Sequence, residues 1–119
     1  MEYETPDLMV RVQDHVTIVR VKTVNLTSMG DIGRLSTSLD TLVRDGARRL
    51  IVDFKLVQHV GSAALGALIA LQKRMKDLGG RMVISHPEHI QELLQVSQTI
   101  KLFEIAPDSK SAFKLLKPT

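Results

Sequence analysis

The chain has no cysteine and no tryptophan, and only Tyr3 and three phenylalanines represent the aromatic residues among its 119. Without thiols it forms no disulfide and has no cysteine nucleophile or thiolate metal site, which is compatible with a reducing compartment. Aromatics at 3% leave little with which to stack bases, so a single-stranded nucleic-acid surface is not expected. No apolar run approaches the roughly 18 residues of a membrane span. The opening Met1-Glu2-Tyr3-Glu4-Thr5-Pro6-Asp7 has neither a basic-then-apolar signal nor a lipidation motif. The expectation is a cytoplasmic protein that does not insert into membranes.

What is present suits an ordinary globular domain: 44% apolar and 24% charged residues, with a formal net charge of +3. The length supports one core, so residues 8–116 are expected to form a single domain behind a tail at 1–7. Cations cluster near predicted helix ends, at Arg44, Arg48 and Arg49 and at Lys73, Arg74, Lys76 and Arg81. There they complement helix dipoles, and Asp40, Asp45 and Asp77 interrupt any continuous stripe for nucleic acid.

Leu8, Val10 and Val12 alternate, Gln13-Asp14-His15 reads as a turn, and Val16 to Lys22 forms a second strand, so the domain opens with a hairpin. Ser28 can cap a helix with Ile32, Leu35, Leu39, Leu42 and Val43 at helical spacing, ending near Gly46. Arg49 to Phe54 is short and apolar, the pattern of a central strand. A second helix runs from about Ser62 to Leu78 with Gly79-Gly80 as its C-cap, followed by a strand at Met82 to Ser85. Pro87 opens a third helix, Ile100 to Ile105 makes a last strand, and Asp108 caps a final helix. This alternation predicts an α/β fold. Its sheet is mixed, mostly parallel and four- to five-stranded, with an N-terminal β-hairpin and about four helices.

The most informative stretch runs from Leu50 to Leu68. A buried-strand pattern gives way to a short loop and then to a helix whose first turn is nearly all small residues, with one hydroxyl, Ser62, at its mouth. Two readings of Ser62 stand side by side. It is an N-cap that accepts a hydrogen bond from an unpaired helix amide, or a hydroxyl presented on a smooth surface for a partner to reach. Gly61, Ala63, Ala64, Gly66 and Ala67 likewise fit either close helix–sheet packing or a docking face. Asp53 sits at the carboxyl end of the central strand, the edge where ligands bind in open α/β sheets.

Several other chemistries lack a needed part. His86 and His89 have no third metal ligand nearby. His59 lies three residues before Ser62 as a candidate base, but a serine hydrolase also needs an orienting acid and an oxyanion hole, and Gly-x-Ser-x-Gly is absent. No loop has the lysine of a phosphate-binding P-loop. No cofactor, metal or catalytic residue is expected, although a small hydrolase using Ser62 and His59 remains a remote alternative.

The order hairpin, helix, strand, small-residue helix, strand, helix, strand, helix resembles the STAS domain family, in its anti-sigma factor antagonist type. Gly61-Ser62-Ala63-Ala64-Leu65-Gly66 lies over the family's Asp-Ser-Ser/Thr-Gly-Leu-Gly signature, and Asp53 falls where the family often has an acid in its central strand. Gly79-Gly80 matches the glycine pair after that helix. Leu93-Leu94-Gln95-Val96-Ser97 resembles a Leu-Phe-Asp-Met-Ser type of segment, with Ile100-Lys101-Leu102-Phe103 following in step.

The resemblance implies a regulatory protein-binding module whose partner is an anti-sigma factor that is also a serine kinase. It implies that Ser62 is the phosphoacceptor and that Asn25, Ser28, Asp53, Gly61, Ala63 and Ala64 contribute to partner binding. Three positions depart from the family: Gly61 replaces its aspartate, Ala63 its second hydroxyl, and Asn25 the acid of the loop before Ser28. The losses near Ser62 leave open a second implied role, a STAS subunit of a transporter or a signalling scaffold without phosphorylation.

Overall fold

The computed structural model describes residues 1–117. Strands β1 (Glu2–Glu4), β2 (Leu8–Gln13), β3 (Val16–Val21) and β4 (Asn25–Leu26) precede helix α1 (Met29–Arg44). Strands β5 (Arg49–Asp53) and β6 (His59–Val60) lead into α2 (Ser62–Asp77). Strand β7 (Arg81–Ser85), the short α3 (Gln91–Val96), a 3-10 turn at Ile100–Leu102, β8 (Glu104–Ala106) and α4 (Ser109–Leu116) complete the fold. The main sheet is six-stranded in the order β1-β2-β3-β5-β7-β8, and β4 pairs with β6 in a second, two-stranded sheet. Pairing is antiparallel among β1, β2 and β3 and parallel from β3 to β8. The expected mixed sheet with its N-terminal hairpin is therefore present.

The hairpin closes through Asp14 (φ 51°) and His15 (φ 65°), flanked by the pair Gln13↔Val16. Positive φ at both central residues gives a turn whose twist matches the flanking strands, and Asp and His are among the side chains that tolerate it.

Strand β1 is the sixth strand, one more than expected, and it is built from residues assigned to a tail. Glu2, Tyr3 and Glu4 are all exposed, so no hydrophobic alternation marks them. Backbone pairing to β2 holds them, with long ion pairs from Glu2 to Arg11 (3.9 Å) and Glu4 to Lys22 (4.0 Å).

Two other boundaries move. Pro87 begins a turn closed by Ile90 N–H to Pro87 O (2.9 Å), and α3 starts at Gln91. Residues 100–102 are a 3-10 turn because the parallel register with β7 begins only at Val83↔Glu104, and the Leu102 carbonyl is taken by Gln72 Nε2 (2.8 Å).

Alternation along β5 divides the core. Leu50 and Val52 join Ile32, Leu35 and Leu39 of α1 and Leu65, Leu68 and Met75 of α2 on one face. Ile51 turns to the other, against Val83 and against Ala112 and Leu116 of α4. The sheet is thus covered by α1 and α2 on one side and α4 on the other.

The Gly79-Gly80 pair has two separate causes. Gly79 takes φ 75° just after the helix, the left-handed position glycine favours at a C-terminus. Gly80 passes so close to its neighbour strand that an added Cβ would lie 2.7 Å from the Arg48 carbonyl oxygen and 3.0 Å from Met75 Cε. That carbonyl is itself held by Arg81 N–H at 2.8 Å. Gly80→Ala should therefore destabilise the domain by roughly 1–3 kcal/mol in urea unfolding, the cost of overpacking. A loss under about 0.5 kcal/mol would show that the backbone yields without strain.

Candidate functional site

Parallel strands β3 and β5 end side by side at Val21 and Asp53, and the chain leaves both at the same edge of the sheet. The β4–β6 ladder then ties the two exits together, with Asn25 opposite His59 and Leu26 opposite Val60. Gln58 N–H donates to Val24 O (2.7 Å) and Gly61 N–H to Leu26 O (2.9 Å), while the fully buried Leu26 anchors the pair. Each short strand delivers the chain into a helix. The first turns of α1 and α2 consequently open next to each other.

The two helix mouths differ. Ser28 caps α1: its hydroxyl accepts from Asp31 N–H (3.1 Å) and donates to Asp31 Oδ2 (2.9 Å). Gly61 is the N-cap of α2, at φ −92° and ψ 167°, with no side chain to offer. Ser62, read as a possible cap, is already the first helical residue, so the capping position and its geometry belong to Gly61. The Ser62 side chain is exposed and makes no hydrogen bond among the described residues. Ala63 beside it and Gly66 one turn along are also exposed. Nothing lies within 4 Å of a Cβ built at Gly66, so this glycine leaves open surface.

Of the proposed contacts, Asn25, Ser28 and Ala63 are exposed and Gly61 half-buried at this edge. Ala64 is not part of the surface: at 2% exposure it turns inward with the α1–α2 core. Asp53 is also removed from it. Its carboxylate is fully buried on the α4 side of the sheet, opposite to α2. Arg20, its register partner on β3, donates to Oδ2 through Nε (3.2 Å) and Nη2 (3.0 Å). Ser109 Oγ donates to the same oxygen (2.6 Å), and Lys55 N–H donates to Oδ1 (2.7 Å). Asp53 therefore fixes α4 and the start of the loop that leads to Ser62.

Arg20 and Ser109 were missed as partners of Asp53. A lone arginine in the apolar run Val16–Val21 was the available signal for Arg20, and none marked Ser109. The exposed apolar side chains Val24 (44%) and Leu56 (41%) on the connecting segments and Met29 (74%) at the start of α1 were missed as well.

His59 does not reach Ser62 by a hydrogen bond. Its Nδ1 lies 2.6 Å from Asn25 Oδ1, so an Nδ1–H donates to the carboxamide oxygen. The partner that would orient it is an amide with no charge to stabilise an imidazolium, and the nucleophile contact of a hydrolase is missing. His86, at φ 51°, lies 3.8 Å from Glu88, and no group of three or more possible metal ligands occurs among the described residues. No helix among them is long and apolar enough to cross a membrane.

Asp108 caps α4 by accepting from Ser111 N–H at 2.7 Å. That backbone bond, then the Ser111 hydroxyl, hold its carboxyl below the ordinary value, with smaller help from His86 and Lys110. A lowered folded-state pKa means the stabilisation is present above the unfolded value near 3.9 and is lost as pH falls through the folded one. Hydrogen exchange at the first amides of α4 should therefore accelerate relative to α1 below about pH 4. Unchanged protection down to pH 2 would contradict the cap.

The sheet order, the paired helix mouths and the small-residue turn at 61–66 together define the architecture, and a STAS domain model matches residues 7–112. The chain belongs to the STAS domain family. A Bordetella bronchiseptica protein described as an anti-sigma factor antagonist, BtrV, is 24% identical over 85 residues, covering 71% of this chain and 73% of its own. An anti-sigma factor antagonist from Mycobacterium paratuberculosis has a similar crystal structure, with TM-score 0.77 and 22% identity over 96% of this chain and 98% of that one. The Bacillus cell-fate determinant SpoIIAA in its phosphorylated form gives TM-score 0.68 at 14% identity, covering 91% and 98%. At these identities the structural likeness establishes the STAS fold. The segment that resembles the family signature begins at the N-cap of α2, Gly61, and runs into its first turns.

Proposed function

We propose that this STAS domain is a regulatory binding module of the anti-sigma factor antagonist type, with Ser62 as its switch. The observation that carries the reading is the state of Ser62: exposed, free of hydrogen bonds among the described residues and flanked by Ala63 and Gly66. A hydroxyl used as a cap would have to leave its amide before modification, whereas this one is available. In phosphoryl transfer the kinase supplies nucleotide, metal and base, so the substrate need only present a reachable hydroxyl. The unmodified surface docks an anti-sigma factor through the small residues of α2 and the rim around Asn25 and Met29. A phosphate at Ser62 adds about 1.5–2 negative charges to that contact and disfavours it by desolvation and repulsion.

A second reading within binding modules is a transporter subunit or signalling scaffold that is never phosphorylated. It is favoured by Gly61: a Cβ built there meets only ordinary contacts, 3.6 Å to Leu26 O and 3.7 Å to Thr27 Cα, so close packing at Cβ does not impose the glycine that replaces the family's aspartate. Mass spectrometry after incubation with the cognate anti-sigma kinase and ATP separates the two. The switch reading expects phosphate on residue 62, absent in Ser62→Ala. Intact partner binding with no phosphate transfers the assignment to the scaffold reading.

A further inference from the structure

The pole of the molecule opposite Ser62 carries a second feature. There the parallel strands begin and α1, α2 and α4 end, around an open concavity of about 910 Å³. Among the described residues its lining holds four cationic side chains, Arg48, Arg49, Arg81 and Lys117, and the carboxylate of Asp45, with Glu104 paired to Arg81 beside it. Apolar surface from Tyr3, Leu42 and Leu115 completes it.

Cations at helix C-termini ordinarily cap carbonyls, and two of these do. Arg48 Nη1 donates to Val43 O (2.8 Å) and Ala47 O (3.0 Å) at the end of α1. Arg81 Nη1 donates to Leu115 O (3.1 Å), and its other nitrogens pair with Glu104. That pairing raises the Arg81 pKa. Arg49 is different. The β5–β7 register places it directly beside Arg81, and its side chain makes neither a hydrogen bond nor an ion pair among the described residues. Like charges opposed across a strand pair are destabilising, and since Glu104 offsets Arg81, it is the Arg49 guanidinium that lacks a counter-charge among the described residues and can take an anion from outside.

We propose that this concavity is a binding site for a small anionic organic molecule, its phosphate or carboxylate paired with Arg49 and Lys117 and its apolar part against Tyr3, Leu42 and Leu115. The volume falls within the range of small-molecule pockets, roughly 300–1,000 Å³, and the combination of apolar wall and few convergent charges is their usual chemistry. The site is independent of Ser62, since it lies at the other end of every parallel strand.

The test is a titration followed by amide NMR with three probes: phenyl phosphate, octanoate and inorganic phosphate. Expected are saturable shifts at residues 45–49, 79–81 and 115–117 with phenyl phosphate or octanoate, whichever matches the true head group. Inorganic phosphate should bind at least tenfold more weakly. Arg49→Gln should weaken the organic anion about tenfold or more, Arg49→Lys less than threefold, and neither should change partner affinity at Ser62. Shifts that fail to saturate, that spread over all cationic residues, or that are identical in Arg49→Gln would overturn the proposal.

Discussion

Replacing Asp53 by alanine should lower the unfolding free energy by roughly 2–4 kcal/mol. Breaking a buried ion pair by deleting one partner costs about 3–5 kcal/mol, because the remaining charge is left uncompensated. Arg20 is 32% exposed at its side chain and can turn partly to water, which lowers that figure. The deletion also leaves Lys55 N–H and the Ser109 hydroxyl without their acceptor. Asp53→Asn keeps an oxygen for Lys55 N–H and should fall between alanine and wild type. Urea unfolding monitored by far-UV circular dichroism gives all three values. A loss below about 1 kcal/mol in Asp53→Ala would mean that Arg20 and Ser109 find other partners and that the carboxylate is not the tie between β3, β5 and α4.

The same residue illustrates how far the amino-acid pattern can be followed. Leu50, Val52 and the helical spacing of α1 and α2 are plain in the chain, because each buries a regular face. Successive right-handed crossovers in one direction place α1 and α2 on one side of the sheet. Strand alternation then puts Asp53 on the opposite side from Ser62, so its removal from the docking surface was legible in principle. Its actual partners were not. Arg20 is 33 residues away and Ser109 is 56, and only the three-dimensional register joins them.

Elements too short for a period were also hidden. The two-residue strands at Asn25–Leu26 and His59–Val60 have no alternation to detect, yet they position both helix mouths. Strand β1 has no apolar residue facing the core, and its pairing is a backbone matter. At the α2 mouth, one residue decided the chemistry. Serine is a favoured cap, but the extended backbone at Gly61 takes the capping position and moves Ser62 into the helix, where its hydroxyl faces solvent.

Ser62→Asp should weaken binding to the docking partner by about ten- to a hundredfold, or roughly 1.4–2.8 kcal/mol, as one added charge is desolvated in a contact built from small residues. Ser62→Ala should bind as wild type. Because the Ser62 hydroxyl caps nothing, this variant should also unfold within about 0.5 kcal/mol of wild type. The pair of variants separates loss of a hydroxyl from gain of a charge.

The most direct test is isothermal titration of an anti-sigma kinase that binds the wild-type chain against wild type, Ser62→Ala and Ser62→Asp. The account predicts equal affinity for the first two and a ten- to hundredfold loss for the third. Equal affinity for all three would contradict the placement of the docking surface at the mouth of α2.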